Sequence, residues 1–193
     1  MNISSRPARI AMPLCGLALL AGCTAFRTAD TELDAASRNL ATGNLTLDAH
    51  AENVPQAEIT PRGRFLIAGK PVPLTPQQHA EVLAYRAQSV SIAQEGIAIG
   101  HQGVEAGRRA VVPIAFAALF GASGDHIDHI MDGKLAGVRK ATEKLCGRLP
   151  ALMATQRQLA DDLPAFVPYA TLTREKIEDC RENVQKGIDV ADQ

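Results

Sequence analysis

The sequence predicts an α+β protein that is mostly α: a small N-terminal antiparallel β-meander followed by long antiparallel helices pinned by one disulfide. Three observations support this prediction. Short alternating apolar stretches with turn residues occupy 44–74, long stretches with few helix breakers begin at residue 75, and two cysteines lie in the C-terminal third. The 193 residues include 20 Lys and Arg against 21 Asp and Glu. This balance argues against a basic nucleic-acid-binding protein, so we expect no nucleic acid partner.

Residues 1–22 have the pattern of a lipoprotein signal peptide. Arg6 and Arg9 precede an apolar run, Ile10–Leu20, that is too short to span a hydrocarbon core of ~30 Å. The run leads into Leu-Ala-Gly-Cys at residues 20–23, which resembles the lipobox of bacterial lipoproteins. In that class, diacylglycerol is attached to the cysteine and the signal is cleaved before it. The alternative is an ordinary secretory signal with a chance cysteine.

We therefore expect lipidation of Cys23, with acyl chains such as palmitate, and a flexible tether over 23–43. Two or more acyl chains anchor stably, because each buried CH₂ contributes about 0.8 kcal/mol. In lipoproteins of Gram-negative bacteria, Asp after the lipidated cysteine tends to retain the protein at the inner membrane, and here Thr24 stands there. The expected location is the outer membrane, lipid-anchored and facing the periplasm, with the inner membrane as the alternative.

The cysteine count predicts one disulfide in the mature chain. Cys15 leaves with the signal and Cys23 is lipidated, so Cys146 and Cys180 remain as thiols. An even pair in an exported protein is typical of a disulfide. The alternative is two buried reduced thiols.

Residues 44–74 predict the β-meander, and 75–193 predict a helical module that forms one domain with it. Pro71 and Pro73 lack an amide donor, which predicts an edge position for the last strand. Thr75 as N-cap and Gln78 as its capping-box partner start a helix of about 75–110. Further helices are predicted at 125–149, at 152–163 after Pro150, and from Thr173.

Four glycines lie on one narrow face of the first long helix, at spacings of 4, 3 and 4 residues: Gly96, Gly100, Gly103 and Gly107. Each glycine inside a helix costs about 1 kcal/mol relative to Ala, so close helix packing is expected on this face. The partner is left open between a neighbouring helix of the same domain, a second copy of the chain and lipid. Self-association or contact with another envelope protein could use this face.

The apolar segment 110–120 follows the glycines and is too short to span a membrane. We expect it to be a buried core segment. Insertion into the membrane surface is the alternative.

The densest group of metal-capable side chains begins with Asp125, His126 and His129. Their spacing allows pairs to share a helix face, and zinc accepts such ligands. Acidic residues at a helix N-terminus are also favoured by the helix dipole, so we expect a solvated helix start, with no metal and no cofactor. The sequence contains no nucleophile elbow, P-loop, His-Glu-x-x-His or Cys-x-x-Cys motif, so we do not expect an enzyme.

Residues 69–78 read Gly-x-x-Val-x-Leu-Thr-x-x-Gln and are followed by Tyr85. With Phe65 before it, this junction resembles the YggN-like proteins of proteobacteria, a periplasmic family of unknown function. The resemblance extends weakly over 57–190, and Cys146 and Cys180 could match cysteines that the family often has in its helical part. It implies an envelope location and a Gram-negative source, and it assigns no catalytic residue.

The function expected from the sequence is that of a non-catalytic outer-membrane lipoprotein that acts as a binding or scaffold module in the cell envelope. One alternative is an apolar-ligand or lipid-binding envelope protein. A second alternative is a metal-dependent enzyme centred on His126 and His129.

Overall fold

The computed structural model describes the backbone of residues 14–119 and 124–191, and the side chains of 27–109 and 135–185. The elements in these ranges are α1 Leu14–Thr42, β1 Leu45–Leu47, β2 Ala57–Ile59, β3 Phe65–Ile67, β4 Lys70–Pro71, α2 Pro76–Leu119, α3 Gly124–Asp162, a 3₁₀ helix Pro164–Tyr169 and α4 Arg174–Ala191. The predicted fold class is confirmed: a small antiparallel sheet is combined with long antiparallel helices and one disulfide.

The sheet is a meander with strand order β1-β2-β3-β4. Ile59 of β2 lies opposite Leu45 on one side and Phe65 on the other. Ala68 and Gly69 join β3 to β4 with φ of 50° and 73°, as a two-residue hairpin turn with both residues in the left-handed region requires. The strand that contains Pro71 lies at the sheet edge, as predicted.

The main core lies between the sheet, the first turns of α2, the last turns of α3 and the 3₁₀ helix. Phe166 packs edge-to-face against Phe65 and Tyr85, with ring centroids 5.9 and 5.1 Å apart. Tyr169 packs against Phe65 in the same way, and its hydroxyl donates a 2.6 Å hydrogen bond to the carbonyl of Pro55. This cluster connects the sheet to α2 and to the 3₁₀ helix that follows α3.

The start of α2 has the predicted capping box. The amide of Gln78 donates to Thr75 Oγ1 at 3.2 Å, and the amide of Thr75 donates to Gln78 Oε1 at 2.9 Å. From there α2 runs for 44 residues, about 66 Å, to Leu119. It therefore extends beyond the predicted end near residue 110.

The prediction that Pro150 opens a separate helix is wrong, because α3 continues through it to Asp162. A proline inside a helix costs about 3 kcal/mol through the lost hydrogen bond and the steric clash. Contacts with α2 on both sides of Pro150 offset this cost. Arg148 pairs with Glu95 before it, and Thr155 Oγ1 donates to Gln88 Oε1 at 3.1 Å after it.

The prediction of a flexible tether is also wrong for the described part of 23–43, because α1 is helical to Thr42 and packs against α2. The guanidinium group of Arg86 caps the C-terminus of α1. Its Nη2 donates to the carbonyl of Gly43 at 2.8 Å and lies 3.4 Å from the carbonyl of Leu40. An arginine that satisfies the last carbonyls stabilises a helix C-terminus. None of the helices within the described residues is both long and apolar enough to cross a membrane.

The disulfide joins α3 to α4. Cys146 and Cys180 are bonded, as predicted, with their Cα atoms 5.8 Å apart and a sequence separation of 34. Gln156 of α3 holds the segment that leads into α4: its amide donates to the carbonyl of Leu172 and its carbonyl accepts from the amide of Leu172, both at 2.9 Å. The last helix is thus fixed by one covalent bond and one two-point hydrogen-bond pair.

Candidate functional site

The candidate site is the surface on which α1 docks against α2, because α1 contains the predicted lipid attachment residue. The backbone of Cys23 lies within α1, and its side chain lies outside the described residues. Lipidation therefore stays a prediction. What the structure adds is the manner in which the helix that contains this residue is held against α2.

One part of the docking surface is a polar cluster around His101 of α2. The imidazole Nδ1 lies 3.4 Å from Asp30 Oδ1, and Nε2 lies 3.4 Å from Asp34 Oδ1. The two aspartates are four residues apart on α1 and so share a face. Arg108 Nη1 lies 4.0 Å from Asp30 Oδ2, which adds a guanidinium cation to the same carboxylate. The cluster aligns α1 with α2 by charge and hydrogen bonding.

The other part is the glycine face, which the structure divides between two helices. A Cβ placed on Gly100 would lie 3.1 and 3.3 Å from the Leu33 methyl carbons of α1, and one placed on Gly96 would lie 3.8 Å from Leu145 Cδ1 of α3. Gly100 therefore permits a close approach of α1. No described atom lies within 4 Å of a Cβ placed on Gly103, so the close contact predicted there is absent among the described residues.

A second feature is a polar groove of about 460 Å³ between α2 and α3, close to the sheet. It is lined by small, amide and acidic side chains: Gln77, Ala80, Glu81, Ala84, Gln88, Thr155 and Gln158. Its walls offer amide, hydroxyl and carboxylate groups beside the methyl groups of two alanines. The arrangement provides several hydrogen-bond donors and acceptors for a polar partner.

Two carboxyl groups meet at one end of this groove. Gln77 Nε2 lies 3.1 Å from Glu81 Oε1 and 3.5 Å from Asp162 Oδ2, so one amide faces both. Glu81 Oε2 is buried and has no donor among the described residues. A hydrogen bond with the Glu81 carboxyl, together with its negative charge, raises the pKa of Asp162 above its ordinary value. The pair is 81 residues apart in sequence, and no local pattern could have indicated it.

The predicted metal candidates lie on the first turns of α3, but the side chains of Asp125, His126 and His129 lie outside the described residues. Among the residues that the structure does describe, no group of three or more His, Cys, Asp or Glu side chains could hold a metal ion. The expectations of no metal and no enzyme stay predictions.

Scans of protein-family models, curated proteins and solved structures return no match to this chain. The resemblance to the YggN-like proteins accordingly stays a prediction based on residues 65–86.

Proposed function

We propose that this chain is a non-catalytic bacterial lipoprotein of the outer membrane, anchored through Cys23, that acts as a binding or scaffold module in the envelope. The observation on which the proposal rests is the Leu-Ala-Gly-Cys sequence at 20–23, directly after an uncharged apolar run. Without the anchor residue, nothing else in the chain would assign this role.

The geometry of α1 supports a spacer role for the helices. From Cys23 to Gly43, where the chain turns into the sheet, α1 rises about 30 Å. Its contacts with His101 and Gly100 hold it along α2. An anchor at Cys23 would therefore hold the sheet and the polar groove some 30 Å from the membrane surface, where a periplasmic partner could reach them.

The disulfide supports a location in the periplasm. Disulfide bonds form and persist in oxidising compartments such as the periplasm and are rare in the cytosol. Cys146 is 1% exposed, so the bond is built into the packing of α3 against α4.

Replacement of the two N-terminal cysteines tests the anchor. Cys23→Ser should abolish incorporation of radiolabelled palmitate and leave the precursor uncleaved by the lipoprotein signal peptidase. Cys15→Ser is the matched control, because it removes a cysteine of the same region, and it should label normally. Palmitate labelling of the Cys23→Ser variant would show that the lipobox interpretation is wrong.

Sorting is tested at the next residue. Thr24→Asp should move the labelled protein from the outer to the inner membrane fraction on a sucrose gradient, whereas Thr24→Ser should leave it in place. Recovery of the Thr24→Ser variant in the inner membrane fraction would contradict the outer-membrane assignment and leave the anchor unaffected.

Native mass spectrometry of the detergent-solubilised lipoprotein separates the scaffold from the two alternatives. The expected mass is that of residues 23–193 with its acyl modifications. An additional non-covalent lipid would support the apolar-ligand alternative, and a retained zinc ion would support the metal enzyme.

A further inference from the structure

The end of α2 that lies farthest from the sheet has no charged residue over Ala110–Leu119. The ten residues read Ala-Val-Val-Pro-Ile-Ala-Phe-Ala-Ala-Leu. Such a segment needs an apolar environment, since each buried Val, Ile, Leu or Phe contributes about 1.5–3 kcal/mol. The question is what that environment is in the mature protein.

The register between α1 and α2 places the anchor residue beside the start of this segment. Leu33 meets Gly100, and the two helices are antiparallel because Asp30 lies near Arg108 while Gly43 lies near Arg86. Both helices rise about 1.5 Å per residue. Ten residues beyond the Leu33–Gly100 contact, Cys23 therefore lies level with Ala110.

Maturation changes what lies alongside the segment. In the uncleaved chain, α1 continues to Leu14, which the same register places level with the end of α2. Cleavage before Cys23 removes residues 14–22, the part of α1 that runs level with Ala110–Leu119. The acyl chains are attached at the new end of the helix, at the base of the segment that cleavage has uncovered.

We propose that Ala110–Leu119 is a second membrane-contact site, which enters the phospholipid leaflet that holds the acyl chains of Cys23. This inference rests on the proposed lipid anchor. The segment is about 15 Å long, half of a hydrocarbon core of ~30 Å, so it fits one leaflet. The acyl chains anchor the protein, and a helix segment that enters the same leaflet would add apolar burial and fix the orientation of α2.

The charges at the start of the segment agree with its entry into the leaflet at this point. Arg108 and Arg109 precede it, are 58% and 66% exposed at the side chain, and also pair with Glu105. At that level they would meet lipid phosphates, which attract cations near the surface.

Depth measurement on the lipidated protein tests the proposal. We would introduce Phe116→Cys into the full chain, purify the mature lipoprotein with its disulfide intact, and attach an environment-sensitive fluorophore to the added thiol. Ala98→Cys, an exposed position on the same helix nearer the sheet, is the matched control. In phosphatidylethanolamine–phosphatidylglycerol vesicles with brominated acyl chains, the probe at 116 should be quenched at least twofold and the probe at 98 should not.

The outcomes separate this inference from the proposed function. Palmitate labelling with no lipid quenching at position 116 would overturn the membrane contact and leave the anchor standing, whereas failure of palmitate labelling would overturn the anchor itself. Emission typical of an apolar environment without lipid quenching would assign the segment to the protein core or, with a doubled mass, to a second copy; either would overturn the proposal. If Phe116→Cys does not fold, Val112→Cys gives the same readout.

Discussion

The two ends of the molecule are stabilised in different ways. At the sheet end, which comprises the meander, the start of α2, the end of α3 and the 3₁₀ helix, Ile59, Phe65 and Phe166 are fully buried. In the arm, which comprises α1 with the described parts of α2 beyond residue 90 and α3 before residue 150, the contacts are separate: the His101 cluster, the Leu33–Gly100 approach and the Cys146–Cys180 bond. Continuous burial stabilises one end, and discrete links stabilise the other.

The difference follows from the composition of each end. Aromatic residues concentrate at the sheet end, where each can bury 150–250 Å². The arm has glycines and alanines on its inner faces, which bring helices close but bury little area. Substitutions at the sheet end should therefore lower the free energy of unfolding of the whole domain. Each substitution in the arm should weaken only the contact that it removes.

The largest effect is expected from Phe166→Ala at the sheet end. Phe166 is fully buried between Phe65 and Tyr85, so truncation should lower the free energy of unfolding by about 3–5 kcal/mol in urea denaturation. Val167→Ala is the control, because Val167 is next in sequence and 50% exposed, and it should change stability little. Similar losses for both variants would mean that the aromatic cluster is not the centre of stability.

The next effect is expected from reduction of the disulfide. For a closed loop of about 35 residues, the chain-entropy model gives a loss of about 3–4 kcal/mol, reduced by any native strain. A Cys146→Ala/Cys180→Ala variant should be less stable than the oxidised protein and insensitive to dithiothreitol. Maleimide labelling of the unfolded soluble chain should find no thiol before reduction and two after it, and two thiols before reduction would contradict the bond.

A smaller effect is expected where α1 crosses the glycine face. Gly100→Leu must displace Leu33, and overpacking costs about 1–3 kcal/mol, from which a gain in helix propensity of up to ~1 kcal/mol is subtracted. Gly103→Leu has no described atom within 4 Å of its Cβ and should be neutral or stabilising. Equal thermal shifts for the two variants would show that α1 does not dock at Gly100.

Two kinds of feature could be predicted: those that depend on neighbours in sequence, and the disulfide, for which only two of the four cysteines were left. The capping box needs only Thr75 and Gln78, and the disulfide follows from the expectation that two thiols remain once the signal and Cys23 are accounted for. Pro71 at the edge strand follows from its missing donor. In each case one local rule decides the outcome.

Features that depend on distant partners could not be predicted. The stretch before Thr42 is polar and weakly periodic, and it is helical because Leu33 and Asp30 find partners on α2 about 70 residues away. Helix stability in proteins comes mostly from such packing, and the intrinsic helix propensity of a segment does not include it. The same reason explains why α3 passes Pro150 and why the Glu81–Asp162 pair was missed.

The smallest effect is expected at the carboxyl pair of Glu81 and Asp162, which lies at the sheet end beside the polar groove. Glu81 raises the pKa of Asp162 above its ordinary value of 3.8, so between that value and the raised pKa the folded protein binds more protons than the unfolded chain. The associated stability is present at low pH and is lost as the pH rises through the raised pKa. At neutral pH the pair should therefore destabilise the fold.

Glu81→Gln should remove this penalty, because the side-chain amide has no negative charge and keeps an oxygen that can accept from Gln77 and Gln158. It also replaces Oε2, a buried acceptor that receives no hydrogen bond, with an NH₂ group. We expect a higher melting temperature than wild type at pH 7.5 and a smaller difference at pH 4, measured by circular dichroism. Asp161→Asn removes the same charge one residue from Asp162 and should give a small shift that is similar at both pH values. A Glu81→Gln variant that loses stability at pH 7.5 would show that the two carboxyl groups do not share a proton, and that Glu81 instead needs its charge to hold the amides of the groove.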